Sequence, residues 1–162
     1  WDARLDGSNM YSYYAGTPPI PHLRGLLEAM KIIEEEGGLE ATWRRHEILA
    51  SGVKAAVEAW SAPGGIEFNI LDSDSLSNCV TTVLTGGLDP SELRSLCEKQ
   101  AGLVLGLGIA GIDGFRLAHM GHLNPPMILG AIGTIEAALH SLGSPMGSSG
   151  VAAAAAAIGP HL

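Results

Sequence analysis

The sequence predicts an α+β fold, a small ββαββα layer with its helices on one face of a mainly antiparallel sheet, and three observations carry it. Ile66, Phe68 and Ile70 alternate with polar residues, and 80–85 is β-branched enough to be a neighbouring strand. Residues 103–107 and 115–119 read as two further strands around a glycine-rich turn. Leu93, Leu96 and Cys97, and later Ile128, Ile132, Ile135, Leu139 and Leu142, recur at helical spacing, one set after each strand pair. That order favours a two-layer domain with segregated helices.

Taken in order, residues 1–21 are rich in Tyr, Gly, Ser and Pro, and prolines this dense predict an extended or lid-like loop. Leu23, Leu26, Leu27, Met30 and Ile33 then form a helix that Gly37-Gly38 suits as a C-cap. A second, long amphipathic helix starts near Leu39 and places Trp43, Leu49, Val53, Ala56, Val57 and Trp60 inward. Arg44, Arg45 and Glu47 are expected in solvent, and Pro63-Gly64-Gly65 stops the helix. Residues 72–78 join the first two strands. Asp89-Pro90-Ser91-Glu92 is a helix start, with Asp as N-cap, Pro at the first helical position and Glu placed to reach back. Pro125-Pro126 opens the last long helix, and the alanine run of 151–158 makes a short one by propensity. No internal repeat is visible.

Composition narrows the function classes. The 162 residues carry a formal charge of −8 with nine scattered Lys and Arg, which excludes a phosphate-tracking nucleic-acid surface. The longest apolar stretch, 127–139, contains Glu136 and is shorter than the roughly 20 residues a bilayer span needs, so no membrane segment is expected. The first twenty residues lack the basic-then-apolar order of a secretory signal. Cys79 and Cys97 are too few for a disulfide framework and read as two buried, reduced thiols of a cytoplasmic protein. A mean hydropathy of +0.23 with 16% charged residues implies apolar surface that further chain or another subunit covers.

Gly106-Leu107-Gly108-Ile109-Ala110-Gly111 matches the dinucleotide pattern GxGxxG, but the chain continues through Phe115-Arg116-Leu117 into a strand. The helix whose N-terminus would face a pyrophosphate is absent, so the motif reads as a hairpin. His119 and His122 are close in sequence but lack a third ligand in a recognisable pattern, so they read as surface or supporting histidines. No serine sits on a nucleophile elbow. The acidic run 34–36 ends a helix, where carboxylates oppose the dipole, and reads as a solvated or partner-facing end. Tyr13-Tyr14-Ala15-Gly16-Thr17-Pro18-Pro19 puts phenol and hydroxyl donors on a proline-stiffened loop. It suits either a structural role or a phosphate. Arg116 alternates away from Phe115 and Leu117 and needs an anion, either a carboxylate of the protein or that of a substrate.

Several blocks fit one family together. Thr17-Pro18-Pro19, Leu26-Leu27-Glu28-Ala29-Met30, Glu36-Gly37-Gly38-Leu39-Glu40 and Trp43-Arg44-Arg45-His46 resemble a passage of the class V aminotransferases. Thr81-Thr82-Val83, Leu105-Gly106-Leu107-Gly108 and residues 114–121 resemble the end of the same family. Leu123-Asn124, Leu129-Gly130-Ala131 and 147–154 are similar to its serine-glyoxylate branch in particular. The resemblance implies a fold-type I enzyme with pyridoxal 5'-phosphate (PLP) as cofactor, working as a homodimer on amino acids and 2-oxo acids. Residues 1–38 would then end the large domain and 39–162 form the small C-terminal domain. It further implies that Tyr14 and Thr17 reach the cofactor phosphate of the neighbouring subunit and that Arg116 holds the substrate carboxylate. The family's cofactor lysine lies upstream of anything here, and Lys31, Lys54 and Lys99 all fall in predicted helices outside its context. Serine or alanine would donate the amino group to glyoxylate or pyruvate. Pyridoxamine-pyruvate aminotransferase is an alternative inside the family, and a non-catalytic binding or dimerisation module is one outside it.

Overall fold

A computed structural model describes residues 17–162. The chain divides into two compact units, a first that ends at Thr42 and a second, Trp43–Leu162. In the first unit α1 (Ile20–Glu36) begins directly after Pro18-Pro19 and holds Pro21 in its first turn. The extended backbone expected through residue 21 therefore stops earlier, because a proline that early in a helix removes no intrahelical hydrogen bond. Gly37, at φ +114°, ends α1 by returning its N–H to the carbonyls of Ile33 and Glu34. Leu23, Leu26, Leu27 and Met30 of α1 are all exposed.

The long helix α2 (Gly38–Trp60) follows at once. Leu49, Ala50, Val53, Ala56, Val57 and Trp60 are buried along it, as the spacing predicts. Trp43 is not part of that stripe: it is 64% exposed, and the buried face begins only at Leu49.

The sheet has four strands, β1 (Glu67–Phe68), β2 (Val80–Leu84), β3 (Gly106–Leu107) and β4 (Gly114–Ala118), in the order β1-β2-β4-β3 with every neighbour antiparallel. The ββαββα order holds, while β1 and β3 at the edges are shorter than the alternation predicts. Helix α3 (Pro90–Ala101) starts where expected, with the Asp89 carboxylate accepting from the Ser91 N–H at 2.7 Å. Helix α4 (Pro125–Ser141) is capped by Asn124, and α5 (Gly150–Ile158) by Ser149. Phe115, Leu117 and Val83 from the sheet join Leu93 and Cys97 of α3, Ile132 and Ile135 of α4 and Trp60 of α2 in one core. Cys97 is buried as expected. Cys79 is exposed, because it precedes the first residue of β2 instead of standing within the strand.

Glu136 breaks the apolar run of α4 for a reason the contacts make plain. Its carboxylate accepts from the Trp60 indole N–H at 2.9 Å, the Ser149 hydroxyl at 2.8 Å and the Val151 N–H at 3.1 Å, tying α2 and α4 to the start of α5. Partial burial pushes its pKa up, and the donors Trp60, Ser149, Val151 and Gly150 together outweigh that, leaving it below the ordinary 4.5. The joint is tight: a Cβ on Gly150 would lie 2.4 Å from the Trp60 Nε1.

Candidate functional site

Strand register determines which side chains the sheet presents to its uncovered face. Pairing of Thr81 with Leu117, Thr82 with Arg116 and Val83 with Phe115 sends Thr81, Val83, Phe115 and Leu117 into the core and leaves Arg116 exposed on the other side. Ala118 and Met120 follow it at the same parity and are exposed too. The open face thus carries a row Arg116, Ala118, Met120 along β4 and its continuation, since the His119 N–H still donates to the Cys79 carbonyl at 2.9 Å.

Arg116 stands opposite Gly106 on β3, where a Cβ would come within 3.1 Å of the Arg116 Cβ. The missing side chain makes room for the guanidinium, whose Nε donates to the Leu107 carbonyl at 2.6 Å. That bond orients the group and uses one of its five N–H donors. Among the described residues the ion pairs are Lys31–Glu28 and Arg44–Glu47, so no carboxylate of these residues neutralises Arg116. The turn between β3 and β4 is the glycine-rich hairpin the sequence suggests. Gly111 adopts φ +82°, and a Cβ on Gly108 would lie 2.7 Å from the Gly114 carbonyl oxygen, so the dinucleotide-like pattern serves close strand approach.

His119 corrects the sequence reading. It is fully buried, on the same side as Phe115 and Leu117. Its Nδ1 lies 3.1 Å from the Asn78 carbonyl, which can only accept, so Nδ1 carries the proton and Nε2 accepts from the Thr81 hydroxyl at 2.9 Å. Burial depresses its pKa below the usual 6.5, and the positive charge of Lys54 adds to the effect while the Asn78 carbonyl opposes it. No group of three or more metal-ligating side chains occurs among the described residues.

Arg45 is a second correction. Expected in solvent, it is half-buried, and its Nη1 donates to the carbonyls of Gly121 at 2.8 Å and Leu123 at 3.2 Å. Beside it His46 Nε2 accepts the Gly121 N–H at 3.1 Å. Two adjacent residues of α2 therefore clasp the turn between β4 and α4, immediately after Met120. Nothing local in the sequence announces this, because the partners lie more than seventy residues away. Arg44 and Glu47 are exposed, as expected, and pair with each other at 2.9 Å.

Thr17 is exposed, just ahead of α1, whose first turn contains no acidic side chain. Tyr14 lies outside the described residues. Lys31 and Lys54 occupy α1 and α2 and are engaged, Lys31 with Glu28, Lys54 with the Leu76 carbonyl and the Asn78 side chain; Lys99 is exposed on α3. A separate groove of about 470 Å³ between α3 and α4 is lined by small and apolar residues such as Leu96, Cys97, Gly133 and Ala137 and includes no charged group. No helix of the described residues is long and apolar enough to cross a membrane.

No family profile matches the chain. Over 167 residues it is 35% identical to the serine–glyoxylate aminotransferase of Arabidopsis thaliana, covering all of this chain and 40% of the plant protein. The serine–glyoxylate aminotransferase of Methylorubrum extorquens is 36% identical over 150 residues, which cover 90% of this chain and 36% of the bacterial one. The crystal structure of pyridoxamine-pyruvate aminotransferase from Mesorhizobium loti superposes with a TM-score of 0.81 at 25% identity, over 94% of this chain and 40% of that one. The chain spans 40% or less of the length of these relatives.

Proposed function

The chain belongs to the class V aminotransferases, matching a C-terminal part of the serine–glyoxylate and alanine–glyoxylate enzymes, and from that premise we propose that it forms the substrate-carboxylate side of a PLP-dependent transaminase. In this reading the amino group passes from serine or alanine to glyoxylate or pyruvate, in a homodimer in the cytoplasm. One observation carries the assignment within this chain: Arg116 stands on the open face, oriented through Nε by the Leu107 carbonyl, with no carboxylate of the described residues beside it. A planar guanidinium held by one edge presents the other to a carboxylate in two parallel hydrogen bonds, which a lysine cannot do.

The residues at the start of α1 suit the phosphate end of PLP. An exposed threonine hydroxyl ahead of a helix N-terminus free of acidic side chains favours an anion through both the donor and the helix dipole. Thr17, with Tyr14, would hold the phosphate, and that of the partner subunit in the dimer. When bound, PLP supplies the electron sink for the carbanion at the substrate Cα. The lysine that anchors the cofactor is assigned to the part of the relatives that this chain does not span. A second reading, pyridoxamine as amino donor to pyruvate, is supported by the likeness to the Mesorhizobium loti enzyme, and it keeps the same role for Arg116.

The test is Arg116→Lys in the full-length protein. Binding of amino acids and 2-oxo acids should weaken alike, by about 1.5–3 kcal/mol, the contribution of one hydrogen bond to a charged group lost with the fork, while folding and PLP absorbance are kept. Normal Michaelis constants with a lowered melting temperature would make Arg116 a structural residue.

A further inference from the structure

The three glycines between residues 106 and 111 serve different ends, and only Gly106 lies against a side chain. Gly111 supplies a positive φ, and Gly108 admits the carbonyl oxygens of Gly114 and Ile112 where its Cβ would stand. Gly106 answers no such need of its own backbone: its φ is not positive, and it stands in an edge strand, where glycine is among the least favoured residues. A Cβ there would lie 3.1 Å from both the Arg116 Cβ and the Arg116 carbonyl oxygen. Directly opposed residues of an antiparallel pair ordinarily keep their Cβ atoms about 4.5–5.5 Å apart, so side chains on both strands would need β3 to stand farther from β4 at this pair. The close approach that glycine permits is also what brings the Leu107 carbonyl to 2.6 Å from the Arg116 Nε.

We infer that Gly106 is a positioning residue for the substrate carboxylate: by carrying no side chain it sets the spacing of β3 from β4 at which the Leu107 carbonyl holds Arg116. The inference rests on the reading of Arg116 as the carboxylate anchor. A guanidinium is rigid and planar, so fixing its Nε fixes the plane of both Nη groups and with it the direction from which a carboxylate meets two parallel N–H bonds. A side chain at 106 pushes β3 back. A recoil of about 1 Å carries the Nε–O contact past hydrogen-bonding range and leaves the guanidinium free to rotate. Arg116 then keeps its charge and loses its direction, so every substrate carboxylate binds more weakly although the residue that binds it is intact.

The experiment compares Gly106→Ala, Arg116→Ala and the double variant in the full-length protein, with serine as amino donor and glyoxylate as acceptor. Gly106→Ala should raise the Michaelis constants of both about tenfold, within the roughly hundredfold that a 1 Å misplacement can cost, while kcat and PLP absorbance are retained. In the Arg116→Ala background the same substitution should change them by about twofold or less, because no guanidinium is left to orient. An equal effect in both backgrounds would show that the glycine does not act through the arginine, and would overturn the inference. A crystal structure of Gly106→Ala gives a readout apart from catalysis: the Arg116 Nε and the Leu107 carbonyl oxygen should stand more than about 3.5 Å apart, and a distance kept at 2.6 Å would refute the mechanism. Thermal melts identify a purely structural glycine, whose replacement lowers Tm and leaves the Michaelis constants normal; that result, too, sinks the positioning role. If Arg116→Ala raises the Michaelis constants and Gly106→Ala does not, the anchor stands and the positioning role is lost. If Arg116→Ala leaves them unchanged, the anchor falls and the role of Gly106 with it.

Discussion

Replacing Glu136 by alanine and by glutamine separates a buried hydrogen-bonded joint from a merely tolerated surface acid. The carboxylate is the acceptor for the Trp60 indole N–H, and Trp60 is fully buried, so alanine leaves that donor without a partner. An orphaned buried donor costs about 1–3 kcal/mol, and loss of the acceptor at the Val151 N–H adds about 1 kcal/mol, as for a lost N-cap. Glu136→Ala is thus expected to destabilise by about 2–4 kcal/mol. For a chain of this size about 3 kcal/mol corresponds to a fall in Tm of about 6–12 °C. Glutamine can keep its carbonyl oxygen on the Oε2 side, towards Trp60 and Val151, and turn its amide towards the Ser149 hydroxyl, which rotates to accept. Its expected cost is about 1 kcal/mol, mainly the lost charge assistance.

The two variants also carry a pH signature. The folded-state pKa of Glu136 is depressed below 4.5, so between the two values the unfolded chain binds more protons. The stabilisation is complete above about 4.5 and is lost as pH falls through the folded pKa, while Glu136→Gln lacks it throughout. Thermal melts followed by far-UV circular dichroism at pH 7 and pH 3 test this: the gap between wild type and glutamine should narrow at pH 3. An alanine variant no less stable than glutamine, or a gap that does not change with pH, would refute the joint.

Three further outcomes follow from the same structure. Gly150→Ala drives a methyl group into the Trp60 indole and should destabilise by about 1–3 kcal/mol, measurable in the same melts. A thiol reagent should label Cys79 in the folded protein and reach Cys97 only on unfolding, because Cys97 is 1% exposed and burial pushes its pKa above 9.0; prompt labelling of both would contradict the packing of α3. The folded-state pKa of His119 is depressed, so its contribution to stability is full above about 6.5 and declines as pH falls, the unfolded ring taking up a proton first. NMR titration should find the ring protonating at lower pH in the folded protein than in the unfolded chain, and the neutral folded ring protonated at Nδ1.

The parts of this fold that are legible in the sequence are those set by short-range chemistry. Asp89-Pro90 announces the start of α3 because a cap involves residues within one turn, and the outward direction of Arg116 follows from strand parity alone. The same parity places His119 beside Phe115 and Leu117 in the core, a signal outweighed by the prior that histidines lie at surfaces. Arg45 is different in kind. Its neighbours Arg44 and Glu47 are charged and exposed, and only the fold brings the carbonyls of Gly121 and Leu123 to it. Cys79 and Trp43 show how boundaries mislead: each precedes a buried stretch and lies outside it, since a helix or strand buries only the part that meets the other layer. Most of the candidate site stands on Arg116, which alternation alone could orient; the clasp of Arg45 and His46 on the turn at Gly121 needed the three-dimensional arrangement.

The pairing of Thr82 with Arg116 has a consequence for how the strands find each other. β2 and β4 join across the whole of α3 and β3, and a slip of one residue would exchange the faces of β4 completely. Phe115, Leu117 and His119 would turn outward, while Arg116 would enter the core without a carboxylate, at a cost of several kcal/mol. In the central strands, where short edges give little guidance, the arginine therefore penalises every slip by an odd number of residues before any substrate is present. Neutral, long side chains at 116 are expected to weaken this discrimination even where they fold, and to let off-register pairings accumulate during refolding.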